Sequence, residues 1–211
     1  NCPVLLHVKT VKGKGYPPAE QEPDRFHGVS PFRVEDGAPL SAGGAATFSG
    51  VFGQTMCELA RDRGEVCAIT AAMQSGTGLD EFARQHPRRV FDVGIAEEHA
   101  AAMAAGMAKQ RVLPVFAVYS TFLQRSYDML LHDVGIQGLH VVFAVDRAGL
   151  VGEDGETHHG VFDVAYLSSV AGMRILCPAN FAELRVMLRH AVLELTGPAA
   201  VRYPPGGEGA L

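Results

Sequence analysis

The chain has no run of lysine and arginine able to track a phosphate backbone, and its 18 basic residues are outnumbered by 23 acidic ones, for a net charge of -5. That balance argues against nucleic acid as a partner. Long hydrophobic runs are missing as well. The most apolar stretches, such as LPVFAVYSTFL from Leu113 to Leu123, fall far short of the roughly 20 uninterrupted residues of a membrane span and carry hydroxyls. The opening residues NCPVLLHVKT lack the charged, apolar, then small layout of a secretory signal. Cysteine is sparse: Cys2, Cys57, Cys67 and Cys177 are widely spaced with no CxxC pair. They read as reduced, buried residues of a cytosolic protein. Also absent are a GxxxxGK[ST] loop, a GxGxxG after a strand and a GxSxG elbow, so nucleotide hydrolysis, Rossmann-type dehydrogenation and serine hydrolysis lose their main support.

What is present is an alternation of short apolar runs with helical segments. The opening PVLLHVKT reads as a strand. The Gly- and Pro-rich piece that follows carries no period, so residues 1–46 read as the carboxyl end of an upstream domain, with Arg33 to Ala46 as a linker. From Thr47 onward, TFSGVFGQTMCELARDRG predicts a helix closed by Gly64. EVCAITAAM, RVFDVG, LPVFAVY, LHVVFAVD, RILCP and PAAVRYP predict strands, and TFLQRSYDMLLHDVGIQ predicts one continuous helix. Strands apolar on both faces and separated by helices imply a doubly wound α/β domain over residues 47–204, with a mostly parallel sheet of about six strands covered by helices on both faces. Residues 205–211 read as a tail toward a further domain.

In such domains chemistry gathers in the loops beyond the carboxyl ends of the strands. One loop opens the alanine-rich segment AEEHAAAMAAGMAKQ. Glu97 lines up with Ala101, Ala104, Ala105 and Ala108, a smooth strip that admits close packing, whereas Glu98 falls in line with Ala102 and Lys109, a row suited to solvent. Both glutamates could simply complement the positive amino end of the helix. Buried at a sheet's carboxyl rim, however, a carboxylate can hold or pass a proton on a heterocycle's nitrogen. In AVYSTFLQR, Tyr119, Phe122 and Arg125 stand three residues apart. Two rings and a cation facing one pocket suit a flat ligand, although a core phenylalanine and a surface arginine give the same pattern.

The segment VDRAGLVGEDGETHHGVFD is unusually polar for a connection after a buried strand. It holds Arg147, the acids Asp146, Glu153, Asp154 and Glu156, the histidines His158 and His159, and four glycines. Asp154 and His158 could bind hydroxyls or move protons, while Arg147 and Arg202 could clamp a phosphate. Adjacent histidines point apart and no third ligand stands at a recognisable spacing, so a metal site is not expected.

Together KGKGYPPAE, FHGV, FDVGIAEEHA, YSTFLQRSYDMLLHDV, DRAGLVGEDGETHHGVFD and VRYPPG resemble the 1-deoxy-D-xylulose-5-phosphate synthase family, thiamine-diphosphate enzymes of the transketolase superfamily. The resemblance implies condensation of pyruvate with glyceraldehyde 3-phosphate and a homodimer. It implies that Glu97 bonds to the cofactor's aminopyrimidine ring and promotes its imino tautomer, with Phe122 stacked on that ring and Tyr119 and Arg125 beside it. Arg147 and Arg202 would hold the acceptor's phosphate. Asp154, His158 and Tyr119 would meet substrate, His158 also taking part in catalysis. Tyr16 matches a cofactor-contacting position and His27 a histidine implicated in proton transfer. Mg2+ and the diphosphate would be held by an upstream domain whose GDG…N motif is not found here. Relatives commonly read VRYPRG where this chain has Pro204, Pro205 and Gly206, which removes one basic group from the phosphate pocket. A split-gene transketolase, a pyruvate dehydrogenase beta-like subunit and a non-catalytic assembly module remain alternatives.

Overall fold

A computed structural model of the chain describes residues 2–23, 25–29, 31–40 and 46–209, the side chain of Glu153 excepted. The chain divides into two compact units, Asn1–Ala45 and Ala46–Leu211.

In the first unit the expected strand at residues 3–10 is not formed. Val4, Leu5, Leu6 and Val8 are exposed, and no regular element covers them. A strand needs a neighbour to take up its N–H and C=O groups, and among the described residues of this unit none is offered. Helix α1 (Pro17–Gln21) begins on a proline, whose fixed φ suits a first helical position. Tyr16 packs against Phe26 and Phe32, with ring centroids 5.5 and 5.9 Å away, and its hydroxyl donates to the Val34 carbonyl at 2.9 Å. Arg33 pairs with Asp36, and Phe32 bridges to Pro39, so the first part of the expected linker is a closed turn. Its residues 41–45 lie outside the described residues.

The second unit starts at α2 (Phe48–Asp62), capped by the Thr47 hydroxyl, which accepts from the Gly50 N–H. The helix ends on Arg63 in extended conformation, so Gly64 is not the cap; the turn closes through the Arg63 N–H to the Leu59 carbonyl and the chain runs straight on to the first strand. In chain order follow β1 (Val66–Thr70), α3 (Asp80–Gln85), β2 (Val90–Asp92), α4 (Glu97–Lys109), β3 (Leu113–Tyr119), α5 (Ser120–Leu123) and α6 (Tyr127–Met129). Next are β4 (Val142–Asp146), α7 (Asp163–Leu167), β5 (Arg174–Leu176), α8 (Phe181–Leu193) and β6 (Ala199–Arg202). All six strands are parallel, in the order β2-β1-β3-β4-β6-β5.

Strand periodicity divides the core in two. Ala68, Val115, Ala117, Val142 and Ala144 face α2, α3 and α8, while Ile69, Phe116, Val118, Phe143 and Val145 face α4 and α7. The single helix expected after β3 is broken: a 3-10 turn spans Gln124–Ser126 and a π-helical turn spans Leu130–Gly135. At the first break Ser126 turns its hydroxyl onto the Glu97 carbonyl, 2.8 Å away, so a tertiary contact takes precedence over helical regularity. Cys57 and Cys67 are buried, and burial pushes the Cys67 thiol up to about 12. Cys2 and Cys177 are exposed, contrary to the sequence expectation, because Cys177 follows the edge strand β5 and Cys2 lies on the uncovered amino-terminal stretch. No helix among the described residues is long and apolar enough to cross a membrane.

Candidate active site

Strand β1 leads to β2 on one side of the sheet while β3 lies on the other, so the topological switch opens beyond the carboxyl ends of β1 and β3. The loops after β1, β2, β3 and β4 supply the candidate side chains. Glu97 is the first residue of α4 and only 2% exposed, whereas Glu98 is half-buried and Ala102 and Lys109 are exposed. Ala101, Ala104 and Ala105 continue the buried strip, and without side-chain bulk they let α4 lie close on the sheet. One carboxylate oxygen, Oε1, accepts from Arg125 Nη1 at 2.6 Å. The other, Oε2, is buried with no hydrogen-bond partner among the described residues. An acceptor left unpaired in this way costs stability until a donor, a water or a ligand, meets it.

From that carboxylate a continuous stack of side chains crosses the rim. The Arg125 guanidinium lies 4.9 Å from the centre of the Phe122 ring, and Phe122 and Tyr119 stack at 5.9 Å with 22° between their planes. His158 meets the Phe122 ring edge-on at 5.4 Å. The Arg147 guanidinium covers the Tyr119 ring at 3.7 Å, donates from Nη1 to the Gly76 carbonyl at 3.0 Å, and places Nε 3.5 Å from Asp154. Two glycines admit this arrangement. A Cβ on Gly76 would stand 1.8 Å from the Tyr119 hydroxyl, and one on Gly160 would stand 2.4 Å from the Arg147 carbonyl and 2.6 Å from Ser120.

The structure therefore brings Glu97, Arg125, Phe122, Tyr119, His158, Arg147 and Asp154 into one chain of contacts. Arg202, ending β6, is engaged separately: its Nε and Nη2 grip both oxygens of buried Asp163, at 2.9 and 3.2 Å. Tyr16 and His27 belong to the first unit, where Tyr16 sits in its aromatic cluster and His27 is exposed. Among the described residues there is no group of three or more side chains able to hold a metal ion.

Three residues in contact with these side chains were given no role by the sequence. Asp163 opens α7, and its only sequence signal is an acid at a helix start. Gly76 is one of several glycines in its loop. Asp146, the last residue of β4, is fully buried; its Oδ1 accepts from the Arg147 N–H at 2.7 Å and its Oδ2 from the Ser49 hydroxyl at 2.7 Å. Burial drives the Asp146 carboxyl up to about 6, against the pull of the Arg147 charge and the Ser49 hydrogen bond.

Comparisons with known proteins identify the family. The family model described as "Transketolase, pyrimidine binding domain" matches residues 45–206. The chain is 57% identical over 202 residues to the 1-deoxy-D-xylulose-5-phosphate synthase of Pelotomaculum thermopropionicum, covering 96% of this chain and 32% of that protein. It is 56% identical to the synthase of Natranaerobius thermophilus, covering 99% of this chain and 33% of that one. The chain thus spans about a third of the length of the curated relatives it matches. Among solved structures, a split gene transketolase described as an inactive beta4 tetramer matches with a TM-score of 0.68 at 25% identity, covering 77% of this chain and 53% of that one. Transketolase from Leishmania mexicana matches in fold, with a TM-score of 0.70 at 16% identity over 80% of this chain and 27% of that one. The chain belongs to the transketolase pyrimidine-binding domain family.

Proposed function

We propose that this chain forms the pyrimidine half of a thiamine-diphosphate site in a transferase that condenses pyruvate with D-glyceraldehyde 3-phosphate to 1-deoxy-D-xylulose 5-phosphate and carbon dioxide. The observation that carries the reading is the spare oxygen of Glu97: Oε1 is held by Arg125, which also lies against the Phe122 ring, while Oε2 is buried and unpaired among the described residues. The bound cofactor would supply a carbanion-stabilising centre for decarboxylation and carbon–carbon bond formation. Glu97 would accept a hydrogen bond from a pyrimidine nitrogen and exchange a proton with it at Oε2. Phe122 would stack on the pyrimidine, and Arg125 would hold the carboxylate in line through Oε1. His158, resting on Phe122, would hand protons to or from substrate oxygens, and Asp154 and Tyr119 would accept from or donate to its hydroxyls. The phosphate would meet Arg202, whose reach is set by Asp163, together with Arg147.

Several wider parts of the reading draw on the family resemblance. The diphosphate and Mg2+ would be held by an upstream domain to which Tyr16 and His27 belong. The working protein would be a cytoplasmic homodimer. The higher identity to the synthases than to the split gene transketolase supports the synthase reaction over transketolase chemistry.

The test uses the intact protein containing this chain. Product formation from pyruvate and glyceraldehyde 3-phosphate is expected to require added thiamine diphosphate, and Glu97→Gln is expected to abolish it while the cofactor still binds by circular dichroism titration. Full turnover by Glu97→Gln overturns the assignment.

A further inference from the structure

Arg147 stands in a conformation its backbone does not favour. Its φ is +58°, in the left-handed region that bulky residues seldom enter, and such positions persist only when their surroundings over-determine them. Two features impose it. The Arg147 carbonyl faces Gly160 so closely that a Cβ there would come within 2.4 Å, and the Arg147 N–H is accepted at 2.7 Å by Asp146 Oδ1. The same carboxylate reaches across the end of the sheet to Ser49, in the first turn of α2, and lies 3.3 Å from Arg147 Nη1. Asp146 also pairs in register with Tyr119 on the neighbouring strand.

The result is a half-buried Tyr119 ring held at three places: the Arg147 guanidinium on the ring, Phe122 stacked against it, and Gly76 against the hydroxyl. A buried carboxylate is a poor choice for packing alone, since desolvation penalises its charge and an apolar residue would fill the space at less cost. Such groups persist at functional rims, where their hydrogen bonds hold a geometry.

We propose that Asp146 is a positioning residue: by accepting from the Arg147 main chain and the Ser49 hydroxyl, it holds Arg147 in the left-handed conformation that lays its guanidinium on Tyr119 and fixes that wall of the site. The inference rests on the synthase reading for its kinetic consequence, but not for its structural one. Misplacing a site wall by about 1 Å can cost on the order of 100-fold in rate.

Two measurements on the intact protein test it. The first is a double-mutant cycle in kcat/KM for the aldehyde substrate. Asp146→Ala is expected to lower it roughly tenfold, Asp146→Asn, which can keep both hydrogen bonds, to recover most of the loss, and Asp146→Ala to add less than about twofold when Arg147 is already alanine. Ser49→Ala, which removes one of the bonds, should act in the same direction with a smaller effect and serves where Asp146→Ala does not fold. Effects that multiply in the double variant, or an asparagine as impaired as the alanine, overturn the proposal. The second measurement is 19F NMR of protein carrying 3-fluorotyrosine, with the Tyr119 resonance assigned by Tyr119→Phe. Arg147→Ala and Asp146→Ala, or Ser49→Ala in its place, are expected to shift and broaden that resonance, and an unmoved signal overturns the positioning role. If the wild-type protein makes no product while the resonance responds as expected, the synthase reading fails and the positioning role stands.

Discussion

Two arginine–carboxylate pairs stand on the carboxyl rim of one sheet, and they are built differently. In both, an acid at the first position of a helix is almost fully buried, Glu97 at 2% exposure and Asp163 at 1%. In both, the partner arginine reaches it from a neighbouring loop or strand end. Asp163 gives both oxygens to the fork of Arg202, a two-point grip that leaves the carboxylate satisfied. Glu97 gives Arg125 one oxygen and keeps the other buried and, among the described residues, unpaired. A satisfied carboxylate stiffens the fold, whereas a half-satisfied one stores an unmet demand that a ligand can fill. The same residue types are therefore satisfied to different degrees, and the difference lies in one oxygen atom.

The comparison is broken most severely at Glu97. In the intact protein, Glu97→Ala is expected to lower kcat/KM by roughly 1,000-fold, about 4 kcal/mol of transition-state stabilisation, while unfolding of this chain by urea changes little because an unmet acceptor is removed with the charge. Equal losses of activity in Glu97→Ala and Asp163→Ala would erase the distinction.

Asp146, a third buried rim carboxylate, sharpens it. Its folded pKa of about 6 lies above the ordinary value near 3.8, so between those pH values the folded chain holds a proton that the unfolded chain has lost. Stability from this group therefore falls as pH rises from about 4 to about 7, by roughly 3 kcal/mol at 1.36 kcal/mol per unit. Asp146→Asn removes the fall, so urea titrations should show the variant gaining on the wild type by about that amount across the interval. A difference that stays constant with pH would contradict the burial cost assigned to Asp146.

Asp163→Ala should act mainly on stability. It leaves Arg202, 21% exposed, without its partner; the expected loss is roughly 2 kcal/mol, less than the penalty for breaking a fully buried pair because part of the guanidinium reaches water. Urea unfolding measures it, and aldehyde KM measures any accompanying displacement of Arg202. The smallest effect belongs to Glu98→Ala, next to Glu97 but on the solvent side of α4. Stability and kcat/KM should stay within about 0.5 kcal/mol of wild type.

Much of this was readable in advance, and particular residues show why. The strip Ala101, Ala104 and Ala105 is set by helical spacing, and it pointed to Glu97 as the buried acid and Glu98 as the wetter one, as the structure has them. Each of the six expected apolar runs contains one of the six parallel strands, and the four central ones, buried on both faces, need continuous apolar sequence. The strand expected at residues 3–10 shows the limit of that signal: Val4, Leu5 and Leu6 have the right composition, but a strand exists only with a partner. The single helix expected after β3 failed similarly, because Ser126 bonds to α4 and no local pattern records that.

The sequence alone determined which segments alternate, which faces are apolar and where the polar loops fall, because these depend on periodicities of two and 3.6 residues that any short window contains. Tertiary structure alone decided which oxygen of Glu97 is free, that Arg202 is gripped by an acid 39 positions away, and that Ser49 meets Asp146 across 97 residues. Those pairings are made by crossover connections that gather separate strand ends at one rim, and partner choice there is a matter of distance in space, which no spacing along the chain encodes.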